Sequence, residues 1–206
     1  MKSALKYLII LCLCLSYTLK VNAEAVLKDI RSPQELIKAL QSGGHIIYMR
    51  HGLTTRKDKN RNKKLVDLNR CNTQRNLTQE GLTQVKHLGL VIKSLKIPIG
   101  KVKSSPYCRT IDTAKAVFGD FEVDQQLAFS IGKVEEESAK LGHYLFESIL
   151  ASKEHAKNTV FVGHTANLKD GLGVWPKPEG VAVIFKVKDN NIIYKGMIKP
   201  SEWPPL

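Results

Sequence analysis

The chain predicts an α/β fold, a three-layer α/β/α sandwich with a mostly parallel central sheet and a β-rich C-terminal tail. Three observations carry that expectation. Short apolar runs alternate with segments whose apolar residues recur at helical spacing, the pattern of parallel strands joined by crossover helices. The runs at residues 45–49 and 159–162 are apolar almost throughout, as strands covered on both faces are. The last stretch leaves the alternation, with β-rich runs at 181–187 and 191–198 around the turn-forming Asp189-Asn190-Asn191.

Taken in order, Ser32-Pro33-Gln34-Glu35 opens a helix with a capping box and a proline at its first position. Leu36, Ile37 and Leu40 give that helix an apolar face, and Gly43-Gly44 stop it ahead of a strand that ends at Met49. Residues 53–76 are polar and cationic with little periodicity and read as a long loop, a length that compact domains usually reserve for function or leave disordered. Thr78 caps a second helix in which Leu82, Val85, Leu88 and Ile92 share a face. Beyond Pro98 and Gly100 come a short strand at 101–104, a helix over 110–118, a strand-like 121–123 and a helix over 135–152 with Leu141, Leu145, Ile149 and Leu150 inward. The strand at 159–162 and the tail complete the element order. Ligand sites in open α/β sheets gather beyond the carboxyl ends of strands. His51, Arg109 and His164 each follow a predicted strand, so one crevice can hold all three.

Residues 1–23 read as a signal peptide: Lys2 and Lys6 precede the apolar stretch 7–15, and Val21-Asn22-Ala23 offers small residues for cleavage. The apolar run is shorter than the ~20 residues a spanning helix needs. The expectation is a periplasmic or secreted protein whose residues 24–206 form one domain. Without Lys2, Lys6 and Lys20, the 32 cations fall to 29 against 19 acidic residues. Such a surface favours anionic partners, including phosphorylated substrates and anionic membrane surfaces in peripheral contact. Nucleic acid is not expected, because Trp175 and Trp203 are isolated aromatics near prolines and read as packing rather than base-stacking platforms. Cys71 and Cys108 remain, and an even count in an oxidising compartment makes them a disulfide candidate, with two unpaired buried thiols as the alternative.

The chemistry lies in three short segments. Arg50-His51-Gly52 ends the first strong strand, Ser104-Ser105-Pro106 leads to Arg109-Thr110, and Gly163-His164-Thr165 ends the strand at 159–162. A phosphate dianion needs several fixed cationic donors, and the planar guanidinium fork of Arg50 or Arg109 can bind two of its oxygens at once. A neutral imidazole beside it can attack phosphorus and form a covalent intermediate, which makes His51 the candidate nucleophile. His164 is then placed to donate to the phosphoryl oxygens. Gly52 and Gly163 leave room for backbone to approach the anion. No cofactor or metal is expected: His45, His87, His143 and His155 lack ligand spacing, and neither Cys71 nor Cys108 has an Arg at the cysteine-phosphatase spacing.

Arg50-His51-Gly52 with Thr54, Ser105-Pro106 leading to Arg109-Thr110 and Asp112-Thr113-Ala114, and Gly163-His164 before a short helix resemble the histidine phosphatase, or phosphoglycerate-mutase-like, superfamily over roughly residues 45–187. Gln74-Arg75-Asn76-Leu77-Thr78, the cysteine beside Arg109, and Glu179-Gly180 before the tail are more similar to its exported bacterial members, among them the lipopolysaccharide core heptose phosphatase type. The resemblance implies that His51 is phosphorylated and that Arg50, Arg109 and His164 form the phosphate pocket. Its substrate would be a small phosphorylated molecule such as a phosphosugar or lipopolysaccharide component.

Family members acting on alkyl phosphates often carry a Glu after the second Arg, in a pattern like Leu-x-Glu; this chain has Leu127-Ala128-Phe129. Glu179 is the first candidate for the displaced proton donor and Glu135, Glu136 and Glu137 the second, unless a good leaving group needs none. Lys57 stands where mutases often show Asn, which lowers the expectation of a mutase. The run 56–64 carries six cations in nine positions, read as part solvated loop and part electrostatic funnel for a polyanion. Gly52, Thr54, Lys57, Arg75 and Thr165 are the candidate substrate contacts. Two rival functions stand beside the hydrolase: a non-catalytic basic protein binding anions or glycan phosphates, and a phosphosugar mutase or phosphotransferase. The residues leave the oligomeric state open.

Overall fold

The computed structural model describes residues 26–55, 66–130, 133–152 and 156–206. The leader expected at 1–23 and the cationic run at 56–64, Lys57 included, lie outside the described residues. Among the described residues, seven strands form one mixed sheet in the order β1-β7-β6-β2-β5-β3-β4. They are β1 (Leu27–Lys28), β2 (Ile46–Arg50), β3 (Ile99–Ser104), β4 (Glu122–Val123), β5 (Asn158–Gly163), β6 (Ala182–Lys188) and β7 (Asn191–Ile198). The helices are α1 (Pro33–Gln41), α2 (Gln79–Ser94), α3 (Cys108–Phe118), α4 (Glu135–Leu150) and α5 (Thr165–Leu172). The sheet is mostly parallel, with β6 antiparallel to both β2 and β7.

Period-2 alternation along β2 explains the three layers. Ile47 and Met49 join Leu36, Leu40, Val85, Leu88 and Val117 of α1, α2 and α3 on one face. Ile46 and Tyr48 join Leu145, Ile149, Leu168 and Leu172 of α4 and α5 on the other. The predicted capping box is present, with Ser32 Oγ accepting from the Glu35 amide and Glu35 Oε2 accepting from the Ser32 amide. Three carboxylates, Glu135, Glu136 and Glu137, lie in the first turn of α4, where the helix dipole favours negative charge. α5 meets α4 backbone to backbone: a Cβ on Gly171 would sit 2.4 Å from the Gly142 carbonyl oxygen. Two larger residues there would lift α5 and the His164 that precedes it.

Several boundaries differ from the sequence expectation by a few residues. β3 begins at Ile99, and α3 begins at Cys108, so Arg109 sits in a helical first turn rather than ahead of it. β1 carries no readable pattern because both its residues are exposed and its pairing to Ile193 and Tyr194 is long-range. Trp203 packs against the α1–α3 face as expected, but Trp175 is exposed and lies against Lys169 and Lys177.

Candidate functional site

Adjacent parallel strands bring the sequence motifs to one sheet edge. Arg50 pairs with Gly163 between β2 and β5, and Ser104 pairs with Val162 between β3 and β5, so Arg50-His51, Ser105 and His164 leave the sheet side by side. β6 runs the other way, with Ala182 opposite Met49, so the residues entering it, Glu179 among them, reach the same edge. Topology therefore makes one crevice from four separate stretches of chain.

His51 is buried, and its amide donates to the Gly163 carbonyl at 3.2 Å. Its Nδ1 lies 2.9 Å from the Gly52 carbonyl, which can only accept, so Nδ1 carries the proton and Nε2 keeps its lone pair. Burial, then the positive charge of Arg109, then that of Arg50 and Arg75 hold its pKa well below the usual imidazole value. At neutral pH the ring is uncharged, with its lone pair on a defined nitrogen.

His164 faces it, with ring centroids 5.6 Å apart. Arg109 Nη2 donates to His164 Nδ1 at 3.0 Å, and since a guanidinium has no acceptor, the His164 proton resides on Nε2, which donates to Ser105 Oγ at 2.8 Å. Burial and Arg109 push this imidazole pKa down as well. Tyr48 holds the same residue from beneath the sheet through its hydroxyl, which donates to the His164 carbonyl and accepts from the His164 amide.

Arg109 is buried, and burial first, then Arg75, lowers its pKa to about 10, which leaves it cationic at neutral pH. Its guanidinium lies 4.7 Å from the Tyr107 ring centroid and 5.3 Å from that of Phe129, and both rings also pack on His164. Phe129 thus occupies an aromatic wall at the position where a proton donor was sought. Arg50 donates to the Pro176 carbonyl and to Glu179 Oε1, each at 3.1 Å. Among the described residues, the Nε groups of Arg50 and Arg109 are buried donors without an acceptor. Buried donors of that kind are costly unless a ligand satisfies them.

Glu179 accepts from Arg75 at 2.6 Å, from the Thr54 amide at 2.8 Å and from the Thr54 hydroxyl at 3.0 Å, in addition to Arg50. The second candidate donors, Glu135, Glu136 and Glu137, are exposed on α4, where Glu136 pairs with Lys140 and Glu137 with Lys133. Cys71 and Cys108 form a disulfide that closes a separation of 37 residues, and Gln74 Oε1 accepts from the Cys108 amide at 2.9 Å. The Arg75 segment and the Arg109 helix therefore share an anchor. Thr165 is the first residue of α5 and partly buried.

The room at the two motif glycines is taken by protein rather than left for an anion. A Cβ on Gly52 would lie 2.7 Å from Val85 Cγ1, and one on Gly163 would lie 2.3 Å from the Tyr48 hydroxyl. The Gly52 amide donates to Thr113 Oγ1, which in turn donates to the Arg109 carbonyl. The sequence assigns no role to Tyr48 and shows Ser105 only as part of the motif before Arg109. A tyrosine within an apolar strand reads as core, and a serine before Pro106 reads as a turn.

The model of the histidine phosphatase superfamily (branch 1) matches residues 46–137, which span His51, Arg75 and Arg109. The fold of this chain is shared by solved structures at low identity. A phosphoserine phosphatase of Entamoeba histolytica, in complex with 3-phosphoglyceric acid, is 15% identical with a TM-score of 0.58, covering 78% of this chain and 99% of its own. The product of an open reading frame of Mycobacterium tuberculosis is 17% identical with a TM-score of 0.53, covering 72% and 93%. No curated protein sequence matches the chain. Among the described residues, no group of three or more His, Cys, Asp or Glu side chains is placed to hold a metal ion.

Proposed function

We propose that this chain is an exported phosphatase that hydrolyses phosphomonoesters through a phosphohistidine on His51, without a metal. The observation that carries the reading is the convergence of a neutral His51, its Nε2 lone pair free, with Arg50, Arg109 and His164. The buried Nε groups of both arginines supply the donors that a phosphoryl group lacks elsewhere. The His51 Nε2 lone pair forms the N–P bond as the P–O bond to the leaving group breaks and its oxygen takes the electron pair. Water then attacks phosphorus, the N–P pair returns to His51, and the water proton leaves with phosphate or to solvent. An entering anion competes with His164 Nδ1 for the Arg109 amino group, which couples anion binding to the second imidazole.

Export is supported by the leader-like residues 1–23 and by a disulfide, which oxidising compartments favour. The similarity to heptose phosphatases points to a sugar phosphate of lipopolysaccharide as substrate. Acid-quenched labelling with a phosphate donor tests the mechanism: label on His51, lost in His51→Ala and retained in EDTA, is expected. Tight anion binding without label from any donor favours a binding protein instead, because Phe129 leaves the leaving group without an evident proton donor. Product that keeps the phosphoryl group on a second sugar points to a transferase.

A further inference from the structure

We infer that Glu179 is a positioning residue of the anion pocket, orienting Arg50 and Arg75 together, and is not the proton donor. The inference rests on the phosphatase reading above and specifies how its cationic groups are held. Glu179 reaches the site because β6 runs antiparallel to β2, and its side chain is only 15% exposed. Oε1 accepts from Arg50 Nη2, Arg75 Nη2 and the Thr54 hydroxyl, while Oε2 accepts from the Thr54 amide. Every one of these contacts is donated to the carboxylate. A protonated carboxyl would place an O–H among these donors and remove the counter-charge of Arg50 and Arg75.

The three partners come from different parts of the chain. Arg50 precedes the nucleophile, Thr54 follows it, and Arg75 lies on the segment tethered by Cys71 to α3. One carboxylate therefore registers the β2 end, the loop after it and the disulfide-bound segment against each other. The charges agree with this role. Among the described residues, Arg50, Arg75 and Arg109 around two neutral imidazoles, offset by Glu179, leave two positive charges, the complement of one phosphate dianion. Without Glu179, Arg50 and Arg75 would repel each other across the pocket: burial chiefly lowers the Arg50 pKa, Glu179 raises it and Arg75 lowers it further. Held by it, the Arg50 fork is fixed before the anion arrives, and Arg75, whose side chain is 39% exposed, is kept at the mouth as a third cation.

Leaving-group dependence separates positioning from proton donation. Glu179→Gln is expected to lower kcat/KM by ~10²-fold on an aryl phosphate and on an alkyl phosphate alike, as lost alignment does. A loss at least tenfold larger on the alkyl phosphate, whose leaving oxygen needs a proton, overturns the inference. Glu179→Asp keeps the charge and shortens the reach, so its Kd for inorganic phosphate, measured by calorimetry, should rise about tenfold. A Kd unchanged within about twofold also overturns it. Should Glu179→Gln fail to fold by circular dichroism, Arg75→Ala takes its place: equal losses on both substrates support the clamp, and a selective loss on the alkyl phosphate counts against it. Wild-type protein that releases no phosphate from any donor defeats the phosphatase reading, while the phosphate Kd of Glu179→Asp still decides the role of Glu179.

Discussion

The Tyr48 hydroxyl and the backbone of His164 satisfy each other: the hydroxyl donates to the His164 carbonyl at 2.7 Å and accepts from the His164 amide at 2.8 Å. His164 precedes α5 as its N-cap and makes no side-chain capping bond, and its backbone is held by this contact from β2. The strand that delivers Arg50 and His51 thereby also sets the second imidazole.

Removing that hydroxyl orphans two buried backbone groups. Tyr48→Phe is expected to destabilise the protein by about 1–3 kcal/mol and to lower kcat more than it raises KM. Urea titration and steady-state kinetics measure both; an unchanged midpoint with full activity would show that His164 is held otherwise.

Ser105 accepts the His164 Nε2 proton, and Arg109 requires Nδ1 to remain an acceptor. Ser105→Ala leaves a buried N–H without a partner and frees the tautomer. The expected loss in kcat/KM is ~10-fold to 10²-fold, with Ser105→Thr retaining more activity than Ser105→Ala. Equal activity in the alanine variant would remove Ser105 from the site.

The pH dependence follows from the depressed pKa values of His51 and His164. Unfolded chain protonates both near the ordinary value of 6.5, whereas the fold keeps them neutral to well below it. As pH falls through 6.5 the unfolded state therefore binds more protons than the native state, and stability falls with pH; well above 6.5 these residues contribute no slope. Thermal melts between pH 8 and pH 5 should show a declining Tm that flattens in His164→Gln. The rate should persist to a lower pH than an ordinary histidine nucleophile allows.

Reduction of Cys71–Cys108 tests the anchor shared by Arg75 and Arg109. A closed loop of this size is worth about 4 kcal/mol on the chain-entropy account. The double variant Cys71→Ala/Cys108→Ala should melt well below the oxidised protein and bind phosphate more weakly. Identical phosphate affinity would separate the disulfide from the pocket.

Much of this was legible before any coordinates. Ser32-Pro33-Gln34-Glu35 states a helix start locally, and the apolar runs ending at Met49 and Val162 state buried strands whose next residues, Arg50, His51 and His164, belong at the sheet edge. β1 was not legible, because a two-residue exposed strand owes its existence to β7. Glu179 was visible as a carboxylate between Pro178 and Gly180 but not as the partner of Arg50, since that meeting depends on the direction of β6. Phe129 was legible as a missing carboxylate, while its packing on His164 and Arg109 was not.

Residue chemistry and strand periodicity, both local, therefore account for the α/β class, the element order and the four side chains of the candidate site. The protonation pattern of His164, the bracing of its backbone by Tyr48 and the gathering of Arg50, Arg75 and Thr54 on one carboxylate depend on groups 55 to 129 positions apart. Such contacts arise from strand direction and burial, and no window of the chain contains both partners.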